Sequence, residues 1–494
     1  MTQNLNRRAF LRGSGAVAFT ALTTGVAQAQ PCRPEPKWDR TVDVLVVGSG
    51  FSGLSAAIEA RTNGSDVLCI EKMPTVGGNS ILSAGGFAAP GNDLQVAAGI
   101  KDSPELHAKQ TLEAGDFRGN PERVRVLCEN AYDAITWLEG LGMKFKPEVF
   151  QMFGGLYPRA HAPEMPKGKG YVTVLLKALD ERNVPIVKGV RVTDIIRDTP
   201  ASGDVRGVRC ETKDGVRYLR ARKGVVLAAG GFSANQYLRE LHDPRVAGLG
   251  TDNLPNETAG DVMMAAARVG GYLVGMDFIQ STPGAPAGKK MKIILNTRVA
   301  ESIYVDKRGN RIVDEGSRRD VIRDAVLGTP ERYAYTVVDN DTYQKYNSAV
   351  HKSVEEGIKI NEAWTAPTLR ELAVKMGVDP EGLEKGVARY NSFVEKGVDE
   401  DFGKAKRNLV KRIENGPFWA CYTGMTVHHT MGGLSCNVKA QVLDWQGRVV
   451  PRLYAAGEIT GGIHGTNRVG GNALLDCFVY GRIAGTNAGK EQSW

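Results

Sequence analysis

The chain has 494 residues, 42% of them hydrophobic and 24% charged, with a formal net charge of +8. That apolar fraction excludes a disordered chain. The 59 glycines exceed the roughly 7% average share, but they follow no Gly-X-Y period, so collagen is excluded too. The length allows two or three domains, and the glycines come in clusters, which points to backbone held against a ligand.

Residues 1–29 read as a removable targeting segment. Arg7-Arg8-Ala9-Phe10-Leu11 opens a twin-arginine pattern, an apolar run follows over Ala16–Leu22, and Ala27-Gln28-Ala29 is a small-residue cleavage site. Such export carries folded protein, so it predicts a periplasmic protein that loads its cofactor before crossing the membrane. Removal takes away Arg7, Arg8 and Arg12 and no acid, lowering the charge of +8 by three. The remaining basic excess hints at an anionic substrate. No Lys/Arg stripe with interleaved aromatics predicts nucleic-acid binding, and no later run of apolar residues predicts an integral membrane segment. The cysteines (Cys32, Cys69, Cys128, Cys210, Cys421, Cys436, Cys477) show neither Cys-x-x-Cys-His haem attachment nor zinc-ligand spacing, so no haem and no metal are expected.

A buried strand is expected over Val42–Val47. It runs into Gly48-Ser49-Gly50-Phe51-Ser52-Gly53 and a small-residue helix over Leu54–Ala60, and a second strand over Asp66–Ile70 ends at Glu71. This is the G-x-G-x-x-G fingerprint in its βαβ context. Gly48 would make the turn, Gly50 would let a pyrophosphate approach, and Gly53 would let helix meet sheet. The helix N-terminus would face the phosphates, with Glu71 accepting from ribose hydroxyls. Glycine pairs recur at Gly77-Gly78 and Gly85-Gly86. Further apolar strands over Val225–Ala229 and Val450–Ala456 lead into Gly230-Gly231 and Gly457-Glu458.

This layout resembles the flavoproteins with two dinucleotide-binding folds. That resemblance implies an α/β fold with a Rossmann-like FAD domain, FAD lying extended, Glu458 on the ribityl chain, and Asn79 and Ser80 against the flavin. The densest signal lies over 425–485: Met425-Thr426-Val427-His428-His429-Thr430-Met431-Gly432-Gly433, then His464-Gly465-Thr466-Asn467-Arg468-Val469-Gly470-Gly471-Asn472-Ala473-Leu474. These motifs resemble the fumarate reductase/succinate dehydrogenase flavoprotein family, in particular its soluble periplasmic fumarate and urocanate reductases, over about residues 40–490. The resemblance implies non-covalent FAD touching Gly48, Gly50, Phe51, Ser52, Gly53, Glu71, Lys72, Gly78, Asn79, Ser80, Ala84, Gly85, Gly86, Val192, Ala229, Gly230, Asp261, His429, Glu458, Ala473 and Leu474. It also implies a carboxylate substrate held by His428, Arg468 and Gly471. The chemistry suits these types. Reducing an enoic acid requires a clamp on the carboxylate, which arginine makes bidentately, and a proton for one alkene carbon.

Within the family an α+β capping domain interrupts the FAD domain. Here the expected parts are 41–279 and 405–494 for the FAD domain and 280–404 for the cap. The family's proton donor falls on Arg319, in Arg311-Ile312-Val313-Asp314-Glu315-Gly316-Ser317-Arg318-Arg319-Asp320. Counting back without gaps, the relay arginine falls on Arg298, the relay glutamate on Leu295, and the histidine for a second carboxylate on Thr282. An intact clamp at one end and an altered pocket at the other point to an acrylate-type monocarboxylate other than fumarate, with Thr282 and Leu295 shaping specificity. A register shift bringing Glu301 into the relay is the alternative there. With no haem of its own, the chain is expected to draw electrons from a periplasmic cytochrome or quinol-linked partner. The alternative reading reverses direction: a dehydrogenase desaturating an acid or ketone, as related ketosteroid dehydrogenases do, and passing electrons to an external acceptor.

Overall fold

The computed structural model describes residues 35–494 apart from 153 and 166; the leader expected over 1–29 lies outside the described residues. Strand β1 (Arg40–Val47) leads through the glycine turn into α1 (Phe51–Thr62) and on to β2 (Val67–Glu71). A short β3 (Ile186–Lys188), the hairpin of β4 (Arg191–Arg197) and β5 (Val205–Thr212), and a long β6 (Gly215–Leu227) follow. The chain then builds β7 (Ile279–Gly284), β8 (Ile303–Val305), α2 (Arg319–Leu327), β9 (Ala334–Val338), β10 (Ala363–Ala366) and β11 (Phe418–Thr430). It returns to the first layer with β12 (Gln441–Leu443), β13 (Val449–Ala455) and α3 (Asn472–Lys490).

The first sheet has the order β12-β13-β6-β1-β2-β3, with the β4–β5 hairpin joined to β6. Neighbours from β13 to β3 run parallel. Val44 to Val47 are all buried, as expected of a parallel strand covered on both faces. Helix α1 is buried on nearly every side because α3 lies against it. Glycines at four-residue spacing on α3 permit the approach: a Cβ on Gly485 would stand 2.2 Å from the carbonyl oxygen of Ala56.

The second sheet is antiparallel, in the order β7-β11-β9-β8, with β10 also on β11. Mixed helix and strand over 280–404 is thus present, but the expected seam at 404/405 does not divide this sheet. The first half of β11 pairs with β9 and β10, and its second half pairs with β7. Strand partners are set by long-range pairing that a linear pattern does not contain. Residues Pro36–Trp494 form one compact unit. Among the described residues no helix is long and apolar enough to cross a membrane.

Candidate active site

The glycine turn sets the floor of the site. Gly48 has φ +104°, and a Cβ there would lie 2.4 Å from the carbonyl oxygen of Ala228, so only glycine fits the crossing of β1 and β6. Gly50 takes the N-cap position of α1 without a side-chain cap, and the Phe51 N–H is met by Ser80 Oγ at 3.1 Å. Helix α3 starts in the same manner behind Gly471 (φ +86°), again with no side-chain cap. Both helix N-termini therefore open toward one cavity of about 890 Å³, a disposition that favours anionic groups.

That cavity is lined by Gly48, Gly50, Phe51, Ser52, Glu71, Lys72, Gly78, Asn79, Ser80, Ala84, Gly85, Gly86, Val192, Ala229, Gly230, Asp261, His429, Glu458, Ala473 and Leu474. Gly53 is the exception among the expected cofactor contacts. It stays off the wall because its place is structural: a Cβ there would sit 1.9 Å from the carbonyl oxygen of Gly48. Glu71 is also partly committed within the protein, accepting from the Ser49 N–H at 3.0 Å and Oγ at 2.7 Å.

The other end of the cavity gathers Arg319, His428, Arg468, Thr282 and Gly471. Two adjacent histidines in a strand would ordinarily point to opposite faces. A bulge prevents that: Gln280 pairs with His429 while Ser281 pairs with Val427, so His428 is the extra residue. Both rings consequently line the cavity. His428 Nδ1 faces Asp252 at 3.0 Å. Burial lowers the pKa of His428, against the pull of Asp252. His429 is held well below the usual histidine range, by burial first and then by the charge of Arg468.

Arg319 donates from Nη1 to Gln280 Oε1 at 2.9 Å, and the amide nitrogen of Gln280 donates to the Arg468 carbonyl and to Asn467 Oδ1, both at 3.1 Å. One glutamine thus ties the two arginines into a fixed relation. Withdrawal from water, then the like charge of Arg468, lowers Arg319 to about 9. Burial brings Arg468 to about 10 against the opposing pull of Glu458. Burial pushes the Glu458 carboxyl up to about 7. The neighbouring Arg318 turns away, bonding Asp116 at 2.6 and 2.8 Å. Adjacent arginines in sequence therefore divide into one surface tie and one cavity group.

Two expectations for the distal end need correction. Arg298 does not line the cavity; it donates to Glu301 at 2.7 Å, and Glu301 in turn holds Lys345. Leu295 is fully buried beside Val338, Tyr343 and Val354, also away from the cavity. The segment makes a 3₁₀ turn at Leu295–Thr297 that turns Leu295 into the core, and Ile294, Asn296, Thr297 and Val299 line the cavity instead. Glu301 is drawn to Arg298 and Lys345 and is likewise absent from the wall. Sequence reasoning missed Asp252, Asn253, Glu257 and Lys292, all on the wall. They sit in loops without a recognisable motif, and only the fold brings them in.

Glycine turns, two helix N-termini without side-chain caps and one large cavity that includes Arg319 and Arg468 on its wall define an α/β dinucleotide-binding protein with a reaction chamber. The FAD binding domain family matches residues 43–474. A fumarate reductase (cytochrome) of Shewanella frigidimarina is 37% identical over 91% of this chain and 77% of its own length. A urocanate reductase of Eggerthella lenta is 35% identical over 90% of this chain and 74% of its own. The open conformation of a flavocytochrome c3 fumarate reductase superposes with a TM-score of 0.76 at 33% identity, covering 92% of this chain and 79% of that one. The chain belongs to the fumarate reductase/succinate dehydrogenase flavoprotein family of FAD-dependent oxidoreductases.

The residues present fit FAD. Glu257 Oε2, His429 Nε2 and the Nε of Arg468 are buried polar atoms on the wall without a protein partner. Gly78, with φ +53°, lets Glu257 and the turn at Gly50 come close on the cavity wall: a Cβ there would stand 3.0 Å from Glu257 Oε1.

Proposed function

We propose that the protein is an exported FAD-dependent reductase of the C=C bond of α,β-unsaturated carboxylic acids, fed by a periplasmic cytochrome or a quinol-linked donor, with a monocarboxylate other than fumarate as substrate. The single observation that carries this reading is the convergence of Arg319, Arg468 and His428 at one end of the cofactor cavity. FAD, held non-covalently by the glycine turn, Glu71, Asn79, Ser80 and Glu458, supplies the hydride equivalent when bound.

Arg468 grips the substrate carboxylate with its planar fork. His428, oriented by Asp252 through Nδ1, donates to the carboxylate from its other ring nitrogen in its protonated form, the form that Asp252 favours. Arg319 delivers a proton to the alkene carbon on which negative charge develops. An arginine is ordinarily too weak an acid for this work, and burial beside Arg468 moves Arg319 in the needed direction. Gln280 holds Arg319 at its station. The segment 280–404 is read as a cap that brings Arg319 over the cavity and excludes water. Thr282 stands where the family's histidine for a second carboxylate is expected, which supports a substrate other than fumarate.

Anaerobic turnover with reduced viologen tests this. Acrylate-type acids are expected to be reduced with higher kcat/KM than fumarate. Faster reduction of fumarate would overturn the substrate reading, and oxidation of saturated acids with no enoate reduction would overturn the direction.

A further inference from the structure

The wall facing the two arginines carries a charged group of its own. Asp252 lines the cavity between Thr282, Lys292 and His428. His428 Nδ1 stands 3.1 and 3.0 Å from its two oxygens. Thr282 Oγ1 and Lys292 Nζ both approach Oδ2 at 3.5 Å. A carboxylate offers about four acceptor sites, and Oδ1 is engaged here by His428 alone. Burial works to raise the Asp252 carboxyl, but His428 and Lys292 outweigh it and hold it below the ordinary aspartate value. It is therefore an anion at neutral pH, with a lone pair left over, in the same chamber as the substrate.

We propose that Asp252 is a specificity residue that accepts a hydrogen bond from a hydroxyl or ring N–H at the far end of an enoic monocarboxylate, and that its charge rejects a second carboxylate. This rests on the reductase reading above and names the substrate class for the same site. Like charges brought within a few ångströms beside a partly buried wall repel, so a dicarboxylate meets attraction from Arg468 and repulsion from Asp252. A neutral donor meets attraction at both ends. Lys292 does not reverse this balance, because it is half in solvent and already opposite Asp252. Thr282 completes the exchange: a hydroxyl that itself donates to Asp252 stands where a histidine would favour an anion.

The test uses FAD-loaded enzyme, reduced viologen, and substrates that differ in one group: 4-hydroxycinnamate against cinnamate, imidazolyl acrylate against furyl acrylate, and fumarate against acrylate. Wild type is expected to prefer the donor-bearing member of at least one aryl pair by tenfold or more in kcat/KM, the scale of a hydrogen bond to a charged group, about 1.5–3 kcal/mol. Asp252→Asn keeps an acceptor for His428 and removes the charge. It should collapse that preference and raise fumarate relative to acrylate by about tenfold, on top of any common loss that reaches every acid through His428. Unchanged ratios in Asp252→Asn would overturn the proposal. So would an equal fall for every acid, because Asp252 would then act only through His428. Absence of enoate reduction by wild type would instead sink the reductase reading itself.

Discussion

The two ends of the cavity are built on different principles. The cofactor end is made of backbone: glycine turns, two uncapped helix N-termini, and close helix packing by α1 and α3. The reaction end is made of side chains from distant segments, with Asp252, Gln280, Arg319, His428 and Arg468 brought together by the second sheet and α2. A backbone site tolerates change at many positions but not loss of its glycines. A side-chain site fails one residue at a time.

Substitutions at the reaction end sharpen that contrast most. Arg319→Ala should lower enoate reduction roughly a thousandfold, the scale of a lost general acid, while the flavin spectrum of the purified protein stays that of wild type. Loss of bound FAD in that variant would break the separation of the two ends. A smaller effect is expected for Arg468→Lys, which keeps the charge and removes the fork: kcat/KM should fall about 10- to 100-fold, read as a rise in KM. An unchanged KM would take Arg468 out of the carboxylate clamp.

The cofactor end should respond to pH through Glu257. Burial and the nearby Glu71 push its carboxyl from 4.5 to about 7. In the cofactor-free protein the folded chain thus keeps a proton that the unfolded chain has released between those values, and this group's contribution to stability falls as pH rises across that window. Ionised Glu257 also disfavours the phosphates of FAD, so FAD affinity should weaken from pH 6 to pH 8, by up to about tenfold. Glu257→Gln should flatten the titration, followed by flavin fluorescence. An identical slope in the variant would remove Glu257 from the cofactor site. The smallest effect belongs to Arg298→Met. Because Arg298 is tied to Glu301 away from the cavity, turnover should stay within about fivefold of wild type, and a far larger loss would restore Arg298 to a proton relay.

What was legible in the sequence follows the same division. Local patterns carry backbone sites, so the strand–glycine–helix unit near residue 50 is readable from spacing alone. β1 and β2 form within two residues of their expected starts. The bulge that turns both His428 and His429 inward depends on pairing with β7, some 150 residues away, and no local signal marks it. Counting without gaps from Arg319 reached Thr282 on the wall, but it could not foresee the 3₁₀ turn that buries Leu295 and leaves Asn296 facing the cavity. Asp252 and Lys292 sit in motifless loops, so their meeting across the chamber is a property of the fold alone.

In the proposed reading, Arg319 and the carboxylate clamp turn a flavin site into an enoate reductase. Single turnover tests it most directly. Enzyme reduced anaerobically is mixed with an aryl acrylate, and flavin reoxidation is followed by absorbance. Rapid reoxidation is expected from wild type, none with the saturated analogue, and in Arg319→Ala a bound acrylate with reduced flavin persisting. Reoxidation of Arg319→Ala at the wild-type rate, or a wild-type flavin left reduced by every enoate, would contradict it.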